Sequence, residues 1–182
     1  MVIRKLYRIE SAHIVLDAIS RRCSHSTHGH SGVVEVFLKS NKLDNAGMVY
    51  DFGALKNTIG SFIDMFDHSV HLYDKDCEER IEFFKKMNER YILLPCNLTA
   101  ENYALLFKGC INEILLLSNF TNGEGNIHCS GVRYHETVTG YAESEENDKE
   151  PYGLKDIVFS EQTLKEASTE IRTILEEAKK LG

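Results

Sequence analysis

The sequence predicts one α+β domain, an antiparallel sheet joined by hairpins with amphipathic helices laid against it. Three observations carry that reading. In residues 32–40, Val34, Val36 and Leu38 alternate with Glu35, Phe37 and Lys39, the period-two pattern of a strand. After Asp51 the period lengthens, and Phe52, Leu55, Ile59, Phe62, Ile63 and Phe66 share one helical face. Strand-like segments then return after a long helix, an order typical of sheets with helices segregated to one side.

In chain order, residues 2–10 mix β-branched and aromatic side chains and read as a first strand that runs into Ser11-Ala12-His13. Asp44-Asn45-Ala46-Gly47 is a turn signal, with Met48-Val49-Tyr50 as the return strand of a hairpin from 32–40. Asp51 is placed to cap the first helix. Residues 74–90 are charged, with Ile81, Phe84 and Met87 at helical spacing, and Tyr91 to Pro95 is a short apolar strand or connector. Thr99 suits the N-cap of a further helix, whose first turn holds Glu101 and whose apolar face runs through Leu105, Leu106, Cys110, Ile114 and Leu117. Residues 127–136 and 138–143 read as two more strands. Glu143 to Glu150 is an acidic, polar run, and an amphipathic C-terminal helix carries Leu164, Ala167, Ile171, Ile174, Leu175, Ala178 and Leu181. The expected division is a main domain over 1–143 and an added linker and helix over 144–182.

Bulk properties narrow the function classes. A chain of 182 residues with 42% hydrophobic and 27% charged content suits one soluble globular domain. The net charge of -7, without a basic stripe, speaks against a nucleic-acid partner. The five cysteines form no C-x-x-C pair and their odd number suits no complete disulfide framework. With no apolar h-region at the N-terminus and no apolar run of membrane-spanning length, a cytoplasmic, reduced chain is expected.

The chemistry concentrates between His13 and His30. His28 and His30 flank Gly29, and in an extended chain residues i and i+2 face the same side, so both imidazoles can converge on one ion. H-G-H alone is more often a solvated pair. His13, at the end of the neighbouring strand, changes that balance. Three histidines leave an open fourth position on tetrahedral zinc, the arrangement of catalytic sites. A closed site with Cys23 as fourth ligand is the alternative, and His25 reads as a loop residue. Arg21-Arg22 precede Cys23, and positive neighbours favour the thiolate that a base or nucleophile needs, although an unreactive loop cysteine fits the neighbours equally well. In Asp67-His68 a carboxylate could orient an imidazole for proton transfer, but adjacent side chains diverge, and such a pair is more often a helix-end surface feature. His71 and His128 are assigned no role.

Assembled in order, the pieces are S-A-H at 11–13, C…H-G-H at 23–30, G-M-V-Y-D-F at 47–52, D-H at 67–68, T-A-E-N at 99–102 and H-E-T at 135–137 with Tyr141 behind it. Over residues 1–143 the chain resembles the 6-pyruvoyl-tetrahydropterin synthase / 6-carboxytetrahydropterin synthase family. The resemblance implies a tunnelling fold, a twisted antiparallel sheet with two main helices on one face, to which this chain adds its C-terminal helix. It implies homo-oligomers, hexamers or other barrels assembled edge to edge, with active sites at the interfaces. His13, His28 and His30 match the zinc ligands, and Cys23, Asp67 and His68 a proton-transfer triad. Glu136 matches the pterin anchor, with Thr99 and Glu101 helping to shape the substrate pocket, although Glu101 serves equally well as a favourable first-turn charge.

The implied activity is that of a zinc-dependent lyase on 7,8-dihydroneopterin triphosphate, yielding 6-carboxy-5,6,7,8-tetrahydropterin, acetaldehyde and triphosphate on the route to queuosine. The rival is the pyruvoyl-type synthase, which eliminates triphosphate without C–C cleavage, and a rival of another class is a non-catalytic zinc or pterin-binding module. Four residues separate Cys23 from His28, between the three usual in carboxy-type and the five usual in pyruvoyl-type enzymes, so this spacing leaves the product open.

Overall fold

A computed structural model describes residues 1–181. Among them the backbone forms one 7-stranded sheet. Its centre is the long hairpin of β1 (Val2–His13) and β2 (His28–Lys39), antiparallel over its whole length from Val2↔Lys39 to His13↔His28. On one side β5 (His128–Thr137) and β6 (Gly140–Ser144) continue the antiparallel pattern. On the other, β3 (Ser69–Tyr73) meets β1 in parallel at Ser11 and Ala12 only, β4 (Tyr91–Leu94) runs parallel to β3, and β7 (Val158–Phe159) closes that edge. The expected all-antiparallel sheet is therefore mixed. The reason is connectivity: β3 and β4 are joined through the helix α3 (Glu78–Met87), a crossover that returns the chain to the same end of the sheet.

Two other expectations change locally. Met48–Tyr50 forms no strand, because Asp44 closes the segment on itself: its Oδ1 accepts from the N–H groups of Ala46 and Met48 at 2.9 and 2.7 Å. Strand β2 pairs with β5 instead. The helix expected from Asp51 is broken, with a single 3-10 turn at Ala54–Lys56 followed by the short helix α2 (Ile59–Asp64). Asp51 caps only the turn to Gly53 (2.7 Å), and Thr58, at φ -106 and ψ -99, interrupts the helical path. Phe52 is consequently exposed.

The main helix, α4 (Ala100–Leu117), forms as expected, with the Thr99 hydroxyl accepting from the N–H of Asn102. Its apolar face and that of α2 cover one side of the sheet, burying Phe62, Phe66, Phe107, Ile111 and Ile114 against Ile9, Val34 and Val132. The expected single C-terminal helix is two. α5 (Glu161–Glu166) ends at Ala167, and α6 (Thr169–Leu181) restarts with the Ser168 hydroxyl accepting from the N–H of Ile171. Ile171, Ile174, Leu175 and Ala178 join the same core as α2 and α4. No helix among the described residues is long and apolar enough to cross a membrane.

Candidate active site

The site follows from strand register. His13 and His28 are direct partners across β1 and β2, and His30 lies two residues along on the same, helix-covered face. The three rings are mutually edge-on, with centroids 4.7, 5.1 and 5.0 Å apart. One nitrogen from each lies within 4.8 Å of the others. Gly29 lets the strands close up, since a Cβ there would stand 3.0 Å from the Ser11 carbonyl oxygen.

The nitrogens are prepared for a cation. Both ring nitrogens of His13 and Nε2 of His30 are buried with no hydrogen-bond partner, an arrangement that costs free energy unless something else engages them. The His28 Nδ1 lies 3.0 Å from the Ser26 carbonyl oxygen. A carbonyl only accepts, so Nδ1 carries the proton and Nε2 is left to coordinate. Burial, reinforced by His28, His71 and His30 nearby, holds His13 down at about 3 and hence neutral. Three imidazoles converging on one point, two of them with buried, unpaired nitrogens, are a donor set that fits a divalent metal ion such as zinc. Among the described residues that cluster comprises the histidines alone, so the alternative in which Cys23 closes it has no counterpart in this geometry.

Glu136, near the end of β5, reaches the same face. Its Oε1 lies 3.7 Å from His13 Nε2 and 3.8 Å from His30 Nε2. The floor beneath is aromatic: the Tyr103 ring stacks on His13 at 6.3 Å and lies tilted against Tyr134 at 4.7 Å.

Asp67 and His68 follow α2. Asp67 Oδ1 accepts from the N–H of Glu10 at 2.6 Å, and its Oδ2 lies 2.8 Å from His68 Nδ1. The expected divergence of these neighbours does not occur. His68 adopts φ 49, which folds its ring back onto the preceding carboxylate, while its N–H donates to the Glu10 carbonyl at 2.7 Å. A carboxylate on Nδ1 fixes the tautomer and leaves Nε2 for proton exchange. Arg90 secures the turn by donating to the Asp67 carbonyl oxygen. His68 opens into a cleft of about 510 Å3 lined by Glu10, Ser11, Ala12 and Met87 to Arg90, which contains neither Cys23 nor the three histidines.

Cys23 lies in a one-turn helix, α1 (Arg21–Ser24), and is partly exposed. Its carbonyl accepts from Val15 at 2.9 Å, tying the excursion between β1 and β2 back to the strand end just past His13. Burial pushes the thiols of Cys96 and Cys129 up to about 12 and raises Cys110 as well, so none of these supplies a thiolate. Thr99 caps α4, and Glu101 is exposed in its first turn. The sequence reading missed Asn97, whose side-chain amide pairs with both backbone groups of Leu16 at 3.0 and 2.7 Å and anchors the same excursion to the start of α4. It also missed Tyr103, Tyr134 and His71 beneath the histidines, whose apolar-face spacing reads as ordinary core.

Comparison with known proteins identifies the family. A protein of Helicobacter pylori (strain J99) named 6-carboxy-5,6,7,8-tetrahydropterin synthase is 44% identical over 158 residues, covering 87% of this chain and 79% of that one. A protein of the same name from Rickettsia typhi is 32% identical over 117 residues, covering 64% of this chain and 80% of that one. Among solved structures, 6-pyruvoyl tetrahydropterin synthase of Caenorhabditis elegans has a TM-score of 0.53 at 24% identity, covering 80% of this chain and 94% of that one. An uncharacterized protein of Wolinella succinogenes reaches 0.57 at 19%, covering 81% and 98%. These distant structures share the tunnelling fold, and the family model described as 6-pyruvoyl tetrahydropterin synthase matches residues 2–147. The histidine triad, the aspartate–histidine turn and the glutamate on β5 thus stand on a scaffold matched almost from end to end of its sheet, and the chain belongs to the 6-pyruvoyl tetrahydropterin synthase family.

Proposed function

We propose that the chain is a lyase that converts 7,8-dihydroneopterin triphosphate and water to 6-carboxy-5,6,7,8-tetrahydropterin, acetaldehyde and triphosphate, in the cytoplasmic route to 7-deazaguanine nucleosides such as queuosine. The observation that carries it is the 44% identity, over 87% of this chain, to a protein named for that product.

The residues have roles that fit. Glu136 accepts two N–H donors from the guanidine-like edge of the pterin ring. Zinc, held by Nε2 of His13, His28 and His30, would polarise the hydroxyls of the substrate side chain. Cys23, as the thiolate, takes a proton from the side-chain carbon. His68, its tautomer set by Asp67, returns protons through Nε2, and acid–base help of this kind is worth roughly 10²–10⁴-fold. Thr99 and Glu101 border the pterin pocket from the start of α4.

The site is completed by a second copy. From Val2 to Glu10, β1 has a strand neighbour on one side only, because β3 joins it no earlier than Ser11. A long unpaired edge of this kind is normally covered or paired. Edge-to-edge assembly into a barrel-shaped homo-oligomer covers it and brings the Asp67–His68 cleft of one copy toward Cys23 of the next.

The test is product analysis. Zinc-loaded protein incubated with 7,8-dihydroneopterin triphosphate should release acetaldehyde together with the carboxylated pterin. Triphosphate release with a pyruvoyl product and no acetaldehyde overturns the C–C cleavage. Binding of pterin and zinc with no triphosphate release overturns the enzymatic reading altogether.

A further inference from the structure

Beneath the three histidines runs a buried hydrogen-bond chain with no part in the chemistry above. His71, on β3, is 1% exposed, yet both its ring nitrogens are engaged. Nδ1 lies 2.6 Å from the Tyr103 hydroxyl. Nε2 lies 3.0 Å from the Phe66 carbonyl oxygen and 3.0 Å from Ser69 Oγ. The carbonyl accepts only, so Nε2 carries the proton and Nδ1 receives that of Tyr103. Burial keeps both groups neutral, holding His71 down at about 4 and pushing the Tyr103 hydroxyl up.

The two ends of this chain lie at two parts of the proposed site. Phe66 and Ser69 bracket Asp67-His68, and Ser69 Oγ itself donates to the Phe66 carbonyl at 2.7 Å. One imidazole therefore pins both ends of the turn in which His68 holds φ 49, a left-handed conformation that a side chain with a Cβ disfavours and that persists only where its surroundings enforce it. At the other end, Tyr103 stacks at 23° on the ring of His13.

We infer that His71 is a positioning residue: through Phe66 and Ser69 it holds His68 folded back on Asp67, and through Tyr103 it fixes that turn relative to the floor under His13. A core residue needed only for volume would be replaceable by leucine. An imidazole bonded at both nitrogens to two different elements is not. The inference rests on the reading of Asp67–His68 as the proton-transfer pair.

The test compares His71→Leu, which fills the space without hydrogen bonds, with His71→Gln, whose amide can accept from Tyr103 and donate to Phe66. His71→Leu should keep stoichiometric zinc and an unchanged KM while kcat falls about 10- to 100-fold, the scale of a misplaced catalytic group. His71→Gln should recover most of that loss. The 15N spectrum of His68 should report the Nδ1–H tautomer in the wild type and a mixture in His71→Leu. Unchanged kcat and tautomer in His71→Leu overturn the inference, as does a kcat loss that tracks loss of zinc, or a glutamine variant no better than leucine. If His71→Leu fails to fold, Tyr103→Phe carries the comparison: a lowered kcat at full zinc supports the inference, and a wild-type kcat overturns it. His68→Ala is assayed alongside. Wild-type turnover there sinks the proton-transfer reading, while the tautomer of His68 still reports whether His71 holds it.

Discussion

His13, His28 and His30 present one buried or part-buried nitrogen each to a common point, and two of those nitrogens have no partner in the protein. Removing any one ring leaves two ligands, so His13→Ala and His28→Ala are each expected to lower zinc affinity about 100-fold or more, beyond the 10–100-fold typical of outer-shell partners. Metal content by mass spectrometry after gel filtration checks this, and stoichiometric zinc in either variant refutes the assignment. Acid is expected to act through the buried imidazoles. His13 and His71 are held down at about 3 and about 4 in the folded chain, against an ordinary value near 6.5 in the unfolded one. Their contribution is therefore fully present above pH 6.5 and is lost as pH falls from there toward 4 for His71 and toward 3 for His13, because the unfolded chain takes up protons that the fold refuses. The slope is on the order of 1 kcal/mol per pH unit for each group. Urea unfolding of the zinc-free protein at pH 7 and pH 5 measures it, and His71→Gln should flatten the dependence. Legibility at this scale followed sequence distance. H-G-H reads from period two because its geometry is local. The bond from Asp67 to Glu10 depends on where α2 delivers the chain, and the sequence reading had adjacent side chains diverging.

At the scale of elements, α4 shows what pattern reveals and what it hides. Its start, its cap and the part of its apolar stripe through Leu106, Cys110 and Ile114 were readable, since each depends on residues three or four apart. Lys108, in the middle of the buried face, was not. It is 1% exposed, and its ammonium donates to the carbonyl oxygens of Glu145, Glu146 and Asp148 at 2.7, 3.1 and 3.0 Å. The acidic run that reads as a solvated linker is thus gathered around one buried cation by its backbone. The next residue makes the contact tighter: a Cβ on Gly109 would stand 2.3 Å from the Tyr152 carbonyl oxygen. Gly109→Ala must push the 150–153 segment off the helix, although alanine is the better helix former. A net loss of about 1–3 kcal/mol is expected, as for overpacking elsewhere. Thermal unfolding checks the sign, and a stabilised variant refutes the close approach. Strand direction was the converse case: alternation marks a strand but carries no information about its neighbour, so the parallel pairing of β1, β3 and β4 was invisible.

For the whole molecule the main question is whether one copy holds a complete site. The histidines and Glu136 share the helix-covered face of the central hairpin. His68 instead opens into a separate cleft beside Glu10 to Ala12, without Cys23. The unpaired stretch of β1 ends where that cleft begins, so a strand added there by another copy would bring its own residues beside His68. This argument can be tested without solving the oligomer. Cys23→Ala and His68→Ala are each expected to be inactive, at a loss of roughly 10²-fold or more. If Cys23 and His68 of a working site come from different copies, unfolding and refolding a 1:1 mixture restores about a quarter of the sites, because each interface draws its two contributors at random. If both come from one copy, every site carries one defect and the mixture stays inactive. Gel filtration with light scattering, run on the same samples, must show an oligomer wherever activity returns. Recovery near a quarter establishes the shared site, and a silent mixture of properly assembled protein refutes it.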